Sequence, residues 1–181
     1  MKKANGFTIV ELLIVIVVIG ILAAISIVAY NNVAAKARDS QRVQDIKTIA
    51  KALEMYYIDN GEFPSSAAGS TSINSSWAAS ADASWQNNSS QLEGYIGGSL
   101  PADPVNSGGG IGSTTYGYAY YSNPSTTSTS TQFCGVSGVR QFYLLTYNLE
   151  ADGPTPKRET SGVCVGTGLG NSYQDYYRAV R

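Results

Sequence analysis

Phe7-Thr8-Ile9-Val10-Glu11-Leu12-Leu13-Ile14-Val15-Ile16-Val17-Val18-Ile19-Gly20-Ile21-Leu22-Ala23-Ala24-Ile25-Ser26-Ile27-Val28-Ala29-Tyr30 is an apolar run in which only Thr8, Glu11 and Ser26 interrupt with polar side chains. The run exceeds the roughly 20 residues that a helix needs to cross the apolar core of a bilayer. Lys2 and Lys3 stand just before it, which keeps the N-terminus cytoplasmic and sends the chain beyond Tyr30 outward. A secretory signal peptide has a shorter apolar region, about 7–15 residues, closed by a small-residue cleavage site. Leu22-Ala23-Ala24 imitates such a site, but the run carries an acid and continues through Ile25 to Val28. A plain single-pass anchor explains the length and not the charge. A lipoprotein signal lacks its nearby cysteine, since the only two cysteines are Cys134 and Cys164.

The acid is the informative residue. A carboxylate at membrane depth costs about 2.5–3.5 kcal/mol even on the lenient insertion scale, so such a residue is functional by default and calls for a partner. If the Gly6–Phe7 peptide bond is cut, Phe7 acquires a charged amine. In a helix, Phe7 and Glu11 are four apart and share a face, and the amine of one chain could equally reach Glu11 of a neighbour.

Gly6-Phe7-Thr8-Ile9-Val10-Glu11-Leu12-Leu13 behind a short basic leader closely resembles the prepilin cleavage motif. The resemblance to type IV pilins and pseudopilins is strongest over residues 1–63. It implies that a membrane aspartyl peptidase, the prepilin peptidase, cuts after Gly6 and methylates the new amine of Phe7, and that Glu11 supports methylation and subunit docking. The implied partners are copies of the chain itself in a helical filament, the prepilin peptidase, and a pilus assembly platform with its ATPase. The implied location is the cytoplasmic membrane, as a single-pass precursor, and then an extracellular filament. Many major pilins carry a proline in the second half of the apolar segment, and this chain has none there. Gly20 resembles a common family glycine. It either softens the helix during assembly or permits close helix packing in the membrane.

Beyond Tyr30 the helical pattern persists. Val33, Ala37, Val43, Ile46, Ile49, Ala50, Leu53 and Tyr57 recur mostly at spacings of three and four, while Lys36, Arg38, Asp39, Arg42, Asp45, Lys47, Lys51 and Glu54 fill most of the other faces. This is an amphipathic helix with one side to bury. No proline interrupts Phe7 to Asp59, and Asn60-Gly61 followed by Pro64 is a stop signal. A helix of about 50 residues would be roughly 75–80 Å long, which suits a filament spine.

The remainder reads as loops and strands. Residues 65–92 form a long Ser-, Ala- and Asn-rich connection with room for a short helix, and Trp77 and Trp85 read as pegs against the domain. Leu100-Pro101-Ala102-Asp103-Pro104 is a rigid turn that resembles one common in pseudopilins and related pilins. Strand-like runs cover Tyr116–Tyr121 and Gln141–Leu149, with further runs around Val163-Cys164-Val165 and near Tyr173–Val180. Asn123–Gln132 is a Ser/Thr loop. The fold class is therefore α+β and pilin-like, a long N-terminal helical spine covered by a small antiparallel sheet. The expected segments are a leader at 1–6, the membrane and filament-core helix at 7–30, its amphipathic half at 31–61, and an extracytoplasmic domain at 62–181. Outside the cytosol a Cys134–Cys164 bridge can persist. It would close a loop of about 31 residues, worth roughly 3.5–4 kcal/mol in the chain-entropy model; two free buried thiols are the alternative.

Other chemistry finds little support. There is no histidine, and 12 basic residues balance 13 acidic ones, so bulk charge announces no polyanion-binding surface. No nucleophile–base, Walker, Rossmann or zinc pattern is visible. No enzymatic activity, cofactor or metal is expected. Asp103, Asn106, Glu150 and Asp152 are oxygen ligands in loops. Glu150-Ala151-Asp152-Gly153 faintly resembles the calcium loop of pseudopilins, with scattered surface acids as the commoner explanation. Asn74-Ser75-Ser76, Asn87-Asn88-Ser89 and Asn88-Ser89-Ser90 fit the glycosylation sequon. The leading reading is a type IV pilus subunit serving adhesion, motility or DNA uptake. The alternative is a pseudopilin of a type II secretion system, and a minor tip subunit that captures DNA comes third. Nucleic-acid binding would need a basic cluster, and from Arg140 onward five basic residues face four acidic ones.

Overall fold

The computed structural model describes residues 7–66, 77–108, 115–122, 140–151 and 175–180. Gly6, both cysteines, Asn74, Asp152, the Ser/Thr loop and the run around Val163 lie outside them. Helix α1 spans Ile9–Asn60, as the uninterrupted helical pattern requires. The chain divides into two compact units, 1–37 and 38–181.

Every residue from Phe7 to Val33 is exposed. A stretch this long and apolar is sufficient to cross a membrane. At Gly20 a β-carbon would meet nothing within 4 Å, so neither packing nor a break within the subunit explains that glycine.

In the second unit α1 buries Ile46, Ile49, Ala50, Ala52 and Leu53. Gly61 ends the helix at φ +72°, with its N–H on the Tyr57 carbonyl at 2.8 Å; this left-handed cap is what glycine adopts without a β-carbon penalty. The next turn is tied to the sheet: the Phe63 N–H donates to the Arg140 carbonyl at 2.9 Å, and Tyr120 Oη donates to the Pro64 carbonyl at 2.7 Å. After it come β1 (Ala78–Ala79), α2 (Ser84–Ile96), β2 (Ala119–Ser122), β3 (Phe142–Tyr147) and β4 (Asp175–Val180).

The strands form one antiparallel sheet in the order β1-β2-β3-β4. In β2 and β3, Tyr120 lies opposite Leu145 and Tyr121 opposite Leu144. Because side chains alternate across a strand, this register places Tyr120, Tyr143 and Leu145 in the main core with Ile46, Ile49, Leu53, Phe63, Trp85, Leu92, Leu100 and Tyr118. Tyr121, Phe142 and Leu144 form a second cluster, against which Trp77 packs. Both tryptophans are thus pegs, as expected. The sheet, however, is buried on both faces across β2 and β3, where the expected sheet had only an inner face covering the stripe of the helix. Asn88 is 2% exposed, so a glycan on that sequon conflicts with the packing of α2.

Candidate functional site

Two constellations of polar groups stand out, one in each unit. The first is at the start of α1. Thr8 precedes the first helical residue, and Glu11 lies three residues on. The Thr8 N–H and the Thr8 hydroxyl both donate to Glu11 Oε2 at 2.8 Å, and the Glu11 N–H points back at Thr8 Oγ1 at 3.3 Å. This is a capping box: the first N–H groups of a helix have no partner within it, and the two side chains supply partners reciprocally. Phe7 stands before the helix and is 86% exposed. The four-residue spacing therefore does not place Phe7 and Glu11 on one helical face within the subunit, because the box starts the helix after both Phe7 and Thr8.

The second constellation surrounds Arg42, whose side chain is fully buried. Its Nε and Nη2 fork onto the Asp103 carboxylate at 2.7 and 3.0 Å, and its Nη1 reaches Asp39 Oδ1 at 2.8 Å and Glu150 Oε1 at 2.6 Å. The guanidinium carbon lies 4.8 Å from the Tyr116 ring centroid, within cation–π range. Glu150 also accepts from Arg38 Nε at 2.8 Å. Asp39 in turn accepts the backbone N–H groups of Glu150 and Ala151 at 2.9 and 2.8 Å. Asp103 Oδ1 receives the N–H groups of Val105 at 2.8 Å and Asn106 at 3.2 Å.

This arrangement gives the Leu100–Pro104 turn a physical reason. Leu100 is buried, the Pro101 carbonyl accepts the Trp85 indole N–H at 3.0 Å, and Asp103 clamps the turn to α1. It also corrects two expectations. Their charge assigns Arg42 and Asp39 to the polar faces of α1, yet both are buried. Asp103 and Glu150 are neither scattered surface acids nor open oxygen ligands, since their carboxylates are engaged by Arg42, and that of Glu150 by Arg38 as well. Asn106 spends its side-chain oxygen on the Ser80 hydroxyl at 2.7 Å. Among the described residues no group of three or more metal-ligating side chains is assembled.

Burial pulls the Arg42 guanidinium down, but the hydrogen bonds to Asp103 and Glu150 outweigh it and hold the group above its ordinary value. The Arg38 hydrogen bond, helped by Arg42 and opposed by burial, holds the Glu150 carboxyl below its ordinary value. Burial raises Asp45, although the Tyr118 hydroxyl donates to it at 2.9 Å. The signs oppose each other. A depressed acid contributes stability that is present above its unfolded pKa, about 4.3 for glutamate, and is lost as pH falls through the folded value. A raised acid binds its proton more tightly when folded, so acid favours the fold at Asp45. Glu150→Gln should flatten the loss of thermal stability between about pH 5 and pH 3, and Asp45→Asn should steepen it. Melting curves of the detergent-solubilised chain across that range check both; parallel curves for wild type and Glu150→Gln contradict the assignment.

A single long helix with an apolar, wholly exposed first half, a capped glutamate at its start and a small antiparallel sheet over its second half define a pilin-like protein. A model of the prokaryotic N-terminal methylation motif matches residues 1–27, and one of the type II secretion system (T2SS), protein G, matches residues 29–128. The chain belongs to this pilin and pseudopilin family, whose members are structural subunits. It is similar to the type II secretion system core protein G of Aeromonas hydrophila, with 34% identity over 104 residues, 57% of this chain and 68% of that protein. It is similar also to a fimbrial protein of Neisseria meningitidis, with 41% identity over 61 residues, 34% of this chain and 36% of that one. With the core protein G of Pseudomonas aeruginosa the identity is 38% over 68 residues, 38% of this chain and 48% of that one. The chain thus spans between a third and a half of the length of the meningococcal and Pseudomonas relatives. No solved structure matches.

Proposed function

We infer that the chain is the structural subunit of a type IV pilus. In this reading it is a membrane-held precursor, trimmed by the prepilin peptidase between Gly6 and Phe7, methylated at Phe7, and assembled through its N-terminal helix by a platform and its ATPase. The filament would serve adhesion, motility or DNA uptake. The observation that carries the reading is the exposure of every side chain from Phe7 to Val33 in the isolated subunit. Apolar surface on that scale is kept from water by a bilayer or by other copies of the same helix. Glu11, costly among lipids, finds a counter-charge in the Phe7 amine of an adjacent copy.

A second reading, a pseudopilin of a secretion system, is favoured by the extent of similarity, which runs over 104 residues for the Aeromonas protein and 61 for the meningococcal fimbrial protein. The pilus is favoured by the engagement of Glu150 with Arg38 and Arg42, which takes an oxygen ligand from the segment that resembles a pseudopilin calcium loop. The cysteine pair and the Ser/Thr-rich stretches favour it too. Mass spectrometry of sheared surface filaments separates the readings. A pilus subunit is found in the fibres, beginning at Phe7 and carrying one methyl. A mature chain confined to the cell envelope supports the pseudopilin.

Two further expectations accompany this reading. Replacing Gly6 by a bulky residue should leave an uncut precursor in the membrane, seen as the retained leader mass; normal maturation of that variant rules out the cleavage site. Cys134 and Cys164 should appear as one linked peptide pair under non-reducing mapping, and two freely alkylated thiols in native material refute the bridge.

A further inference from the structure

Within the second unit α1 has an outward face that the domain leaves uncovered. Ser40, Gln44, Lys47, Lys51, Ile58 and Asp59 are exposed there, away from the stripe that buries Ile46, Ile49 and Leu53. Charge on this face is ordered along the helix axis. Lys47 and Lys51 are about one turn apart, and Asp59 follows eight residues beyond Lys51, with half-buried Glu54 between them at the edge of the face. Arg38, Arg42 and Arg140 spend their charge inside the subunit, on Glu150, Asp103 and Glu62. Neither lysine has a carboxylate within ion-pair reach among the described residues. Asp59 Oδ2 takes the Tyr95 hydroxyl at 3.0 Å, and a carboxylate has room for further donors.

We propose that this face docks a second copy of the chain, displaced along the helix axis so that Lys47 and Lys51 of one copy meet Asp59 of the next. The contact rests on the filament reading above and lies outside the apolar segment. Every copy enters the membrane the same way round, N-terminus inward, so neighbouring helices run parallel. Parallel helices in register set lysine against lysine, and juxtaposed like charges reject that arrangement. A displacement of eight to twelve residues, roughly 12 to 18 Å at 1.5 Å per residue, sets the lysines against the acid instead. Ile58, 77% exposed, then meets the aliphatic stems of those lysines. Such a contact joins unlike parts of the two surfaces, and a head-to-tail contact that does not close repeats into an open helical filament.

The test uses wild-type polymer assembled from a mixture of isotopically light and heavy subunits and treated with a water-soluble carbodiimide, which joins an amine to a carboxylate already in contact. Mass spectrometry should find Lys51 or Lys47 linked to Asp59 in peptides of mixed isotope. Yield is read alongside, each variant expressed as the sole copy. Lys47→Glu with Lys51→Glu should lower polymer yield about tenfold, as like charges brought together predict, and so should Asp59→Lys. The three reversals combined should restore most of it. Melting curves of the detergent-solubilised variants should match wild type; where one does not, the cross-link on wild-type polymer decides. Polymer without the mixed-isotope link, or combined reversals no better than either alone, overturns the contact and leaves the filament reading standing. Absence of any wild-type polymer overturns both. Undiminished polymer from Lys47→Glu with Lys51→Glu, with loss of binding to DNA or to anionic vesicles, assigns the face to a polyanion and overturns the docking of a copy.

Discussion

Arg42→Ala is expected to destabilise the second unit by about 3–5 kcal/mol, the cost of stripping one partner from a buried ion pair. The guanidinium and the Asp103 carboxylate are both fully buried, so solvent screening does not reduce the figure. After truncation, among the described residues, Asp103 keeps two backbone N–H donors, Asp39 loses its Arg42 contact, and Glu150 keeps its contact with Arg38. A loss of this size is a large share of the roughly 5–15 kcal/mol that holds a domain together. Denaturant unfolding of the solubilised chain, followed by tryptophan fluorescence, measures it: Trp85 is buried and tied to the clamped turn through the Pro101 carbonyl. Arg42→Lys should recover only part of the loss, because an ammonium cannot make the planar two-point contact with Asp103. A loss below about 1 kcal/mol for Arg42→Ala, the range of exposed ion pairs, refutes the buried-node account. The node joins α1 to two distant segments, so its failure should loosen the 100–106 turn and the 148–151 loop together.

Glu11→Leu has the largest expected effect on assembly. It removes an acid that costs about 2.5–3.5 kcal/mol in the membrane, so the precursor should insert at least as well as wild type. A charge-assisted hydrogen bond contributes about 1.5–3 kcal/mol, and its loss should deplete the subunit from filaments roughly ten- to a hundredfold. The outer domain should fold normally, since the core clusters among the described residues are built from Ile46 onward, within the second unit. Expressed as the sole copy, Glu11→Leu should give cells with abundant membrane subunit and few filaments. Wild-type filament yield removes the pairing mechanism.

Some of this is written in local sequence. The length of α1, its stop at Asn60-Gly61, the apolar stripe through Ile46, Ile49 and Leu53, and the positions of β2, β3 and β4 to within a few residues all follow from periodicity and turn chemistry, which act between residues close in the chain. The capping box is equally legible: Thr8 and Glu11 stand in the Thr-x-x-Glu pattern just before an apolar run, a signal overshadowed by the charge of Glu11. Arg42 leaves a trace as well. It lies four residues before Ile46, on the stripe that α1 buries, and a charge there asks for a partner.

Which partners it finds is decided only by the tertiary structure. Asp103 is 61 residues away and Glu150 lies beyond two further strands. No local rule links them to the helix; they converge because the 100–106 turn and the end of β3 pack over one stretch of α1. The double burial of β2 and β3 is likewise a tertiary outcome, since alternation says which side chains share a face but not whether both faces are covered. The spine of this protein is thus dictated by interactions three and four residues apart, and the lock that joins its outer domain to that spine by contacts that exist only once the sheet is in place.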